Sequence, residues 1–475
     1  MSSVKVTPIA QTDVSPEILA SHAAMMCYNA ETPNLGRTID VKKRLFDTGH
    51  HSTLEHNYWT FMIENIPVSS VIFGLHLTAP FYDTDQRSGR FSKMYDNPDM
   101  ADIKHTLHTY YPDATDAQIN KACSFIENGL NIYANNKDRL TDMARDAIHH
   151  ERPNANEKYV ESNAPKFAQE QLRMFVSMIA PTALDWTVDL ATICAFYRTA
   201  WTPFMRDTMD KIAEQIKTEH PEIAYMFDPN MRNMKLKEPA FATQELNYTP
   251  EAIGLISPKK SPKYMGIKTQ PEFELLDYKY DDKLFQPNKA QDMVDVSQFD
   301  PDYMDNSLMY VRSRIHIDTG ATMGQDQRHR SIKRSKPVFT GYFYLPPLLN
   351  KAGLAKDADK WMHDYYEMVN DPTFIRNMAM SIAPYGAMVS YTKHADMNAL
   401  MHEQAKRTCF CAQEAVYKLA YDLRFALEKE IRGKIMLYLT PPCVSMGKCP
   451  EGVRCCGRNR EIMDKALGGY HQREI

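Results

Sequence analysis

The sequence predicts a helix-rich α/β (α+β) protein made of two homologous domains, each with a small sheet. A strand, a turn and a helix follow one another twice, from residue 58 and again from residue 309, as tandem copies of one α/β domain would. A proline-rich stretch separates the copies, and 475 residues suffice for two or three domains. We therefore expect a first domain over residues 1–226, a connector over 227–295 and a second domain over 296–475.

The strand of the first copy is predicted at residues 58–63, YWTFMI, where aromatic and β-branched residues alternate. The segment Ile66-Pro67-Val68-Ser69-Ser70 then offers a turn and a helix start. Residues 309–317, MYVRSRIHI, have the same character and are followed by Asp318-Thr319-Gly320 and a short helical stretch. The order of elements is therefore the same in both halves.

A tripeptide also recurs. Ile179-Ala180-Pro181 matches Ile382-Ala383-Pro384, and each proline has an arginine eight residues earlier, Arg173 and Arg376. Each half has a second arginine in its next helical pattern, at Arg198 and Arg407. These marks favour an internal duplication, with coincidence as the alternative.

The predicted connector has seven prolines between residues 227 and 288, at positions 229, 239, 250, 258, 262, 271 and 287. Proline at that density cannot continue a helix or a central strand. We expect a long, ordered or semi-ordered connector, with its tyrosines and phenylalanines lying against the domains.

One segment is strongly basic, although the whole chain is not. Residues 328–335, RHRSIKRS, hold four fixed cations, whereas 56 Lys and Arg against 60 Asp and Glu give the chain a net charge of -4. Because nucleic-acid-binding domains usually have a basic excess, a small phosphorylated ligand is favoured over nucleic acid. A solvated basic face is the other alternative.

Nothing in the sequence indicates a membrane partner. No apolar run approaches the roughly 20 residues that span a bilayer, and the first residues, MSSVKVTPIAQTD, lack the basic and apolar regions of a signal peptide. We expect a cytoplasmic protein.

Motifs in both halves resemble the flavin-dependent thymidylate synthase family. The first half has GHHSTLEH at residues 49–56, the strand YWTFMI and SGRFSK at 88–93, in the order of that family's GHxxxxEH, FTF and SGRYS motifs. The second half has Gln325 three residues before Arg328-His329-Arg330, and residues 407–413 fit the family's R-x-x-x-x-A-Q helix.

Each half departs from the family pattern where the other retains it. The RHR position of the first half reads Leu75-His76-Leu77, and the SGRYS position of the second reads Val338-Phe339-Thr340. The family builds its active sites at subunit contacts. The resemblance therefore implies that two complementary copies in one chain assemble one complete site.

The resemblance implies reductive methylation of dUMP at C5, with FAD as cofactor and methylenetetrahydrofolate and NADPH as co-substrates. It implies no side-chain nucleophile, so the protein would position the reactants and supply charge. It also implies a homodimer of two-domain chains. The alternatives are flavin-dependent C5 alkylation or hydroxymethylation of another pyrimidine nucleotide, and a flavin- or nucleotide-binding protein without turnover.

The resemblance also assigns site residues. The substrate-binding residues are Ser88, Gly89, Arg90, Gln325 and Arg407, of which Arg407 is also catalytic because its charge would favour an ionised pyrimidine N3. Guanidinium forks suit a pyrophosphate, and the FAD-binding residues are Arg328, His329, Arg330, His50, Ser52, Glu55, Asp396, Asn398 and Cys411. Structural roles remain open: Glu55 could cap a helix, and Arg407 could pair with Glu403 on an exposed helix face.

Six of the nine cysteines fall in the last 67 residues. Cys443, Cys449 and Cys456 are predicted as three ligands of a structural zinc ion; the candidates for the fourth are Cys455, Cys409, Cys411, His402 and His471. Because the spacing differs from the usual short knuckles, free thiols or one oxidised pair are the alternatives.

Overall fold

The structure is a computed structural model, and it describes residues 3–77, 82–90, 92, 95, 98–233, 263–287, 299–458, 462 and 470–475. Each half of the chain contributes one β-sheet, and helices connect the strands. This arrangement confirms the predicted helix-rich α/β class.

The first half has a four-stranded antiparallel sheet in the order β1-β2-β4-β3. Its strands are β1 (Lys5–Gln11), β2 (Tyr58–Pro67), β3 (Tyr82–Gln86) and β4 (Pro181–Asp189). Its helices are α1 (Pro16–Tyr28), α2 (Val68–Ser70), α3 (Met100–Tyr110), α4 (Asp116–Glu151), α5 (Glu157–Leu172), α6 (Leu190–Thr199) and α7 (Pro203–Glu219). The predicted strand at residues 58–63 lies within β2, where Trp59, Phe61 and Ile63 are buried on one face.

The second half has a larger sheet in the order β5-β9-β10-β7-β6, with β8 also paired to β10. Its strands are β5 (Gly266–Lys268), β6 (Glu272–Lys279), β7 (Tyr310–Asp318), β8 (Lys333–Arg334), β9 (Val338–Tyr344) and β10 (Ala387–Asp396). Its helices are α8 (Pro301–Met304), α9 (Thr319–Ala321), α10 (Pro347–Lys351), α11 (Ala355–Asn370), α12 (Arg376–Ile382), α13 (Met397–Arg407), α14 (Glu414–Glu430), α15 (Ile435–Tyr438) and α16 (Pro442–Ser445). β5 pairs in parallel with β9, and the other pairs are antiparallel.

The same local geometry follows the central strand in each half. β2 leads through α2 into a single turn of π-helix at Val71–Leu75, and β7 leads through α9 into a π-helical turn at Thr322–Asp326. π-helical turns are rare and frequent at functional sites. The matching pair marks these two turns as corresponding positions.

The strands that pair with β2 and β7 also correspond. β4 ends at Asp189 and β10 ends at Asp396, and each aspartate side chain caps the helix that follows, α6 or α13. The two pairs differ locally by a bulge in β2 at Asn65, which has φ 60 and lies where the register with β4 shifts.

The two halves meet along short backbone segments and share one hydrophobic core. Ser177 and Pro384 form an isolated antiparallel bridge. They are 207 residues apart, as are Asp189 and Asp396, whereas Pro181 and Pro384 are 203 apart. The recurring tripeptide is therefore four residues out of register with the strands that correspond.

Large aromatic side chains pack across this contact. Phe73 and Phe339 lie edge to face with ring centroids 5.3 Å apart, and Phe125 stacks on Trp361 at 4.5 Å. Such packing excludes water from the contact, so the two halves form one compact body.

The predicted connector is partly a piece of the second sheet. β5 and β6 lie inside residues 227–295, whereas 234–262 and 288–295 lie outside the described residues. β5 and β6 are the two edge strands, and edges tolerate nearby prolines because one side of the strand has no ladder partner.

None of the helices in the described part of the chain has the length and apolarity that a membrane crossing requires.

Candidate active site between the two halves

Arg407 and Gln325 lie in direct contact. Gln325 sits in the π-helical turn after β7, where it is 2% exposed, and Arg407 is the last residue of α13. Arg407 Nη1 donates to Gln325 Oε1 at 3.1 Å, and Nη2 donates to its carbonyl at 2.7 Å. Burial, with the positive charges of Arg90 and Arg328, lowers the pKa of Arg407 to about 10 against the opposing charges of Glu403 and Asp326.

Ser88, Gly89 and Arg90 form a tight turn after β3. The Arg90 N–H donates to Ser88 Oγ at 3.3 Å, and Gln169 Nε2 donates to the Gly89 carbonyl at 3.0 Å. Arg90 pairs through Nε with buried Glu170. Gly89 is buried, and an added Cβ would lie 2.5 Å from Tyr95 Oη, so only glycine fits here.

Three arginines from both halves interact at this place. Arg90 comes from the first half, Arg328 and Arg407 come from the second, and each is within electrostatic range of the other two. Clustered positive charges repel one another in a partly buried site, and a bound anion relieves that repulsion. The arrangement can therefore bind an anionic ligand with guanidinium donors.

The three residues of the RHR segment have different surroundings. Arg330 donates to Asp83 and to the Thr84 carbonyl of β3, which ties the second half to the first. His329 is buried beside His402, with ring centroids 5.6 Å apart, and burial holds its pKa well below the ordinary value. Arg328 is exposed, and no described residue accepts a hydrogen bond from it.

Two buried polar residues behind the site were not predicted as site residues from the sequence. Arg173, 1% exposed, donates from Nη2 to Gln413 Oε1 at 3.0 Å. The Gln413 N–H in turn donates to Gln325 Oε1 at 3.3 Å. Arg173 and Gln413 thus link the first half to Gln325, the residue to which Arg407 donates. The available signals were positions alone: Arg173 lies eight residues before Pro181, and Gln413 ends the R-x-x-x-x-A-Q segment.

Two buried carboxyl groups near this network titrate above their ordinary range. Burial raises the pKa of Asp318 to about 6, against the opposing charge of Arg173. Burial, with the negative charges of Glu170 and Asp318, also raises the pKa of Glu414 to about 8. Glu414 is therefore largely protonated at neutral pH.

An ion cluster flanks Arg407 on its other side. Lys393 Nζ contacts Asp326 Oδ1 at 2.5 Å and also pairs with Glu403. Glu403 therefore pairs with Lys393, and its helix face is buried. The alternative of an exposed pair between Glu403 and Arg407 is wrong. Together with Arg407 and Gln404, these side chains line a cavity of about 30 Å³, which is the size of one or two water molecules.

Other residues assigned by resemblance lie apart from the arginines. His50, Ser52 and Glu55 are exposed around the single 3₁₀ turn His51–Leu54. Among the described residues, no hydrogen bond or ion pair joins them to Arg328 or Arg407. Glu55 ends that turn and does not cap a following helix.

Asp396 and Asn398 are engaged within the second half. Asp396 Oδ1 accepts from the Ala399 N–H at 2.8 Å as the cap of α13, and burial raises its pKa. Asn398 is buried, accepts from Asn306 Nδ2 at 2.9 Å and donates to the Tyr303 carbonyl at 3.1 Å. These contacts give both residues a structural role.

The cysteine cluster differs from the predicted ligand set. All nine cysteines are free thiols. Within the described part of the chain, Cys443, Cys449 and Cys456 do not form a group with metal-ligand spacing; Cys443 and Cys456 instead pack in an apolar cluster that includes Tyr417. The group that does come together is Cys409, Cys411 and Glu451.

Residues 9–223 match the family model described as Thymidylate synthase complementing protein. A comparison with curated proteins found no match. One similar solved structure is the UMP/dUMP methylase PolB from Streptomyces cacaoi bound with 5-Br UMP, at 14% identity and a TM-score of 0.32, over 48% of this chain and 94% of that chain. Another is ThyX from Helicobacter pylori with FAD and dUMP, at 13% identity and a TM-score of 0.33, over 48% of this chain and 99% of that chain.

The matched range contains the GHHSTLEH and SGRFSK motifs but ends before the RHR segment. For this part of the chain, the match confirms the resemblance drawn from the sequence. Residues 9–223 are therefore similar to the thymidylate synthase complementing protein family, and this match covers less than half of the chain.

Proposed function

We propose that the chain is a flavin-dependent enzyme that methylates dUMP at C5, with methylenetetrahydrofolate as carbon donor and NADPH as reductant. The observation that carries the proposal is the meeting of Arg90 with Gln325, Arg328 and Arg407 between the halves. The family match over residues 9–223 supports the reaction type.

The turn at Ser88, Gly89 and Arg90 is proposed to bind the nucleotide phosphate. It offers a hydroxyl, backbone N–H groups and a guanidinium, and glycine leaves room for close approach. Arg407 is proposed to lie against the pyrimidine, where its fixed charge stabilises an ionised N3. Gln325 holds the Arg407 guanidinium in place through two hydrogen bonds.

The RHR segment fits a flavin cofactor in two respects. Arg328 is exposed, and Nε2 of buried His329 has no hydrogen-bond partner among the described residues. Arg330 is engaged by β3, so we propose that it fixes β3 and its following turn against the second half. Asp396 and Asn398 are engaged within the second half, and Cys411 lies with Cys409 and Glu451, so we assign none of the three to the cofactor. When bound, the flavin supplies the electrons that reduce the transferred carbon.

We propose one competent site per chain, formed by two homologous domains. The strand pairing sets residues 338–340 at the start of β9 against residues 87–89, so Phe339 takes the place of Ser88 and is 1% exposed. The matching π-helical turns align Gly74 with Gln325, which sets Leu75-His76-Leu77 two residues before the RHR position expected from the sequence. A buried phenylalanine and a glycine cannot supply the donors that the other site has.

We further propose that the chain forms a homodimer in which the exposed turn with His50, Ser52 and Glu55 faces the flavin of the second chain. All three side chains extend to solvent, and the family builds its sites from several subunits. This proposal accounts for their separation from Arg328 within one chain.

The test combines flavin absorption with tritium release from 5-tritiated dUMP. We expect the purified or flavin-loaded protein to have a visible flavin band that shifts with dUMP, and to release tritium to water when folate and NADPH are added. Arg90→Ala should weaken dUMP binding and leave flavin bound, whereas the exposed control Arg376→Ala should change neither.

A protein that fails to take up flavin would refute the proposed function. A band that shifts without tritium release would instead indicate a binding protein without turnover. Equal loss of flavin and dUMP in Arg90→Ala with an unchanged circular dichroism spectrum would contradict the assigned role of Arg90, whereas a changed spectrum would indicate a folding defect.

A further inference from the structure

A cluster of metal-ligand groups lies next to the candidate active site. Cys409 and Cys411 come from the turn that follows Arg407, and Glu451 comes from the C-terminal loop. One ligand atom from each lies within 4.8 Å of the other two. Residues 40 positions apart in the sequence thus converge on one point.

The spacing suits a small divalent metal. Zinc binds thiolate sulfur at about 2.3 Å and carboxylate oxygen at about 2.0–2.2 Å in a tetrahedron, which puts neighbouring ligand atoms somewhat less than 4 Å apart. Cys411 Sγ already lies 3.5 Å from Glu451 Oε2, and the Cys409 and Cys411 thiols contact each other. A contraction of less than about 1 Å would complete the coordination.

The surroundings hold the three ligands and balance their charge. Arg152, 3% exposed, donates from Nη1 to the Arg454 carbonyl at 3.0 Å and from Nη2 to the Phe410 carbonyl. It therefore links the two segments that supply the ligands. Arg454 also pairs with Glu451 at 2.8 Å. Two thiolates and a carboxylate exceed the charge of a divalent ion by one, and Arg152 and Arg454 offset that excess.

Water would take the fourth position. Cys456 follows Glu451 by five residues, and its thiol interacts electrostatically with Cys411, but it lies outside the group of three and packs in the apolar cluster with Cys443. A set of two thiolates and one carboxylate completed by water is a tetrahedral zinc site.

We propose that Cys409, Cys411 and Glu451 bind one zinc-type divalent metal ion per chain. The ion would join the C-terminal loop to the turn between Arg407 and Gln413, both of which hydrogen-bond to Gln325. It is a structural ion that supports the candidate active site from behind. The proposal does not depend on the identity of the nucleotide or on flavin binding.

The experiment measures metal by mass spectrometry in the full-length protein after exchange against a weak chelator, and then cobalt(II) uptake by thiolate-to-cobalt charge-transfer absorption. We expect about one zinc ion per wild-type chain, and cobalt absorption of a tetrahedral thiolate site. Cys411→Ser and Glu451→Gln should each lose most of the metal. Cys123→Ser changes a partly buried cysteine of α4 and should keep it.

Three results would overturn the proposal. The first is wild-type protein without zinc that also takes up no cobalt. The second is metal retained by both Cys411→Ser and Glu451→Gln. The third is loss only in Cys443→Ser or Cys449→Ser, which would assign the ion to the ligand set predicted from the sequence. Circular dichroism of each variant, with Glu451→Gln as the mildest change, separates metal loss from misfolding.

Discussion

Gly89→Ala tests whether the turn after β3 is shaped for a ligand. The added Cβ would lie 2.5 Å from Tyr95 Oη, which is about 0.9 Å closer than the 3.4 Å of ordinary contact. Tyr95 cannot move away easily because it is 3% exposed, its hydroxyl donates to Tyr385 Oη at 3.0 Å and its ring packs edge-on against Tyr133. The turn itself must therefore shift.

Overpacking of this kind costs about 1–3 kcal/mol. If this free energy opposes the conformation of the turn that binds phosphate, the Kd for dUMP rises by roughly 5- to 160-fold. Isothermal titration of dUMP into the flavin-loaded protein measures this Kd. The matched control is Gly36→Ala, since a Cβ at Gly36 meets nothing within 4 Å.

A second substitution makes the test specific. In Gly89→Ala/Tyr95→Phe the hydroxyl is gone, and the nearest remaining ring atom, Cζ, lies 3.6 Å from the added methyl group. We expect this double variant to recover most of the affinity, although loss of the Tyr95–Tyr385 hydrogen bond costs about 1 kcal/mol of stability. Equal affinity in Gly89→Ala and wild type, or no recovery in the double variant, would refute the reasoning.

Two predictions concern the buried ionisable groups. Because the folded-state pKa of Glu414 is raised from 4.5 to about 8, its contribution to stability is present below pH 4.5 and is lost as the pH rises to 8, by on the order of 5 kcal/mol at most. Glu414→Gln keeps an acceptor for the Tyr344 hydroxyl and should flatten the pH dependence of the free energy of unfolding in urea. The same pH dependence in the variant and the wild type would contradict the raised pKa of Glu414. Lys393→Met leaves Glu403 without this cation, whereas Asp326 keeps Arg334, and the change should cost about 3–5 kcal/mol in the same assay; a loss under about 1 kcal/mol would show that the cluster contributes little.

Local patterns in the sequence predicted the central strands and their following turns. β2 and β7 were found where alternation placed them, because period-2 burial is a local property. β5 and β6 were missed because their short, proline-flanked segments become strands only by pairing with β9 and β7. The tripeptide repeat matched Pro384 with Pro181, whereas Pro384 pairs with Ser177 in the structure. That pairing exists only once the two halves have packed together.

The residues named from the motifs lie near one another, whereas the buried polar residues behind them were not assigned to the site. Arg90, Gln325 and Arg407 were assigned through motif resemblance, and the structure brings them together. Arg173 and Glu414 are buried polar residues, whose roles depend on tertiary partners and not on spacing. The pairing of Cys409 and Cys411 with Glu451 likewise crosses 40 residues of chain.

The central claim is that one nucleotide site per chain is built from both halves. The most direct measurement is equilibrium binding of dUMP to the flavin-loaded protein and to Arg90→Ala and Arg407→Ala, with Arg376→Ala as the control. We predict one dUMP per wild-type and control chain, and a large loss of affinity in each of the other two variants, because each removes a guanidinium from a different half. Full affinity in either Arg90→Ala or Arg407→Ala, or two equivalent sites per chain, would contradict the account.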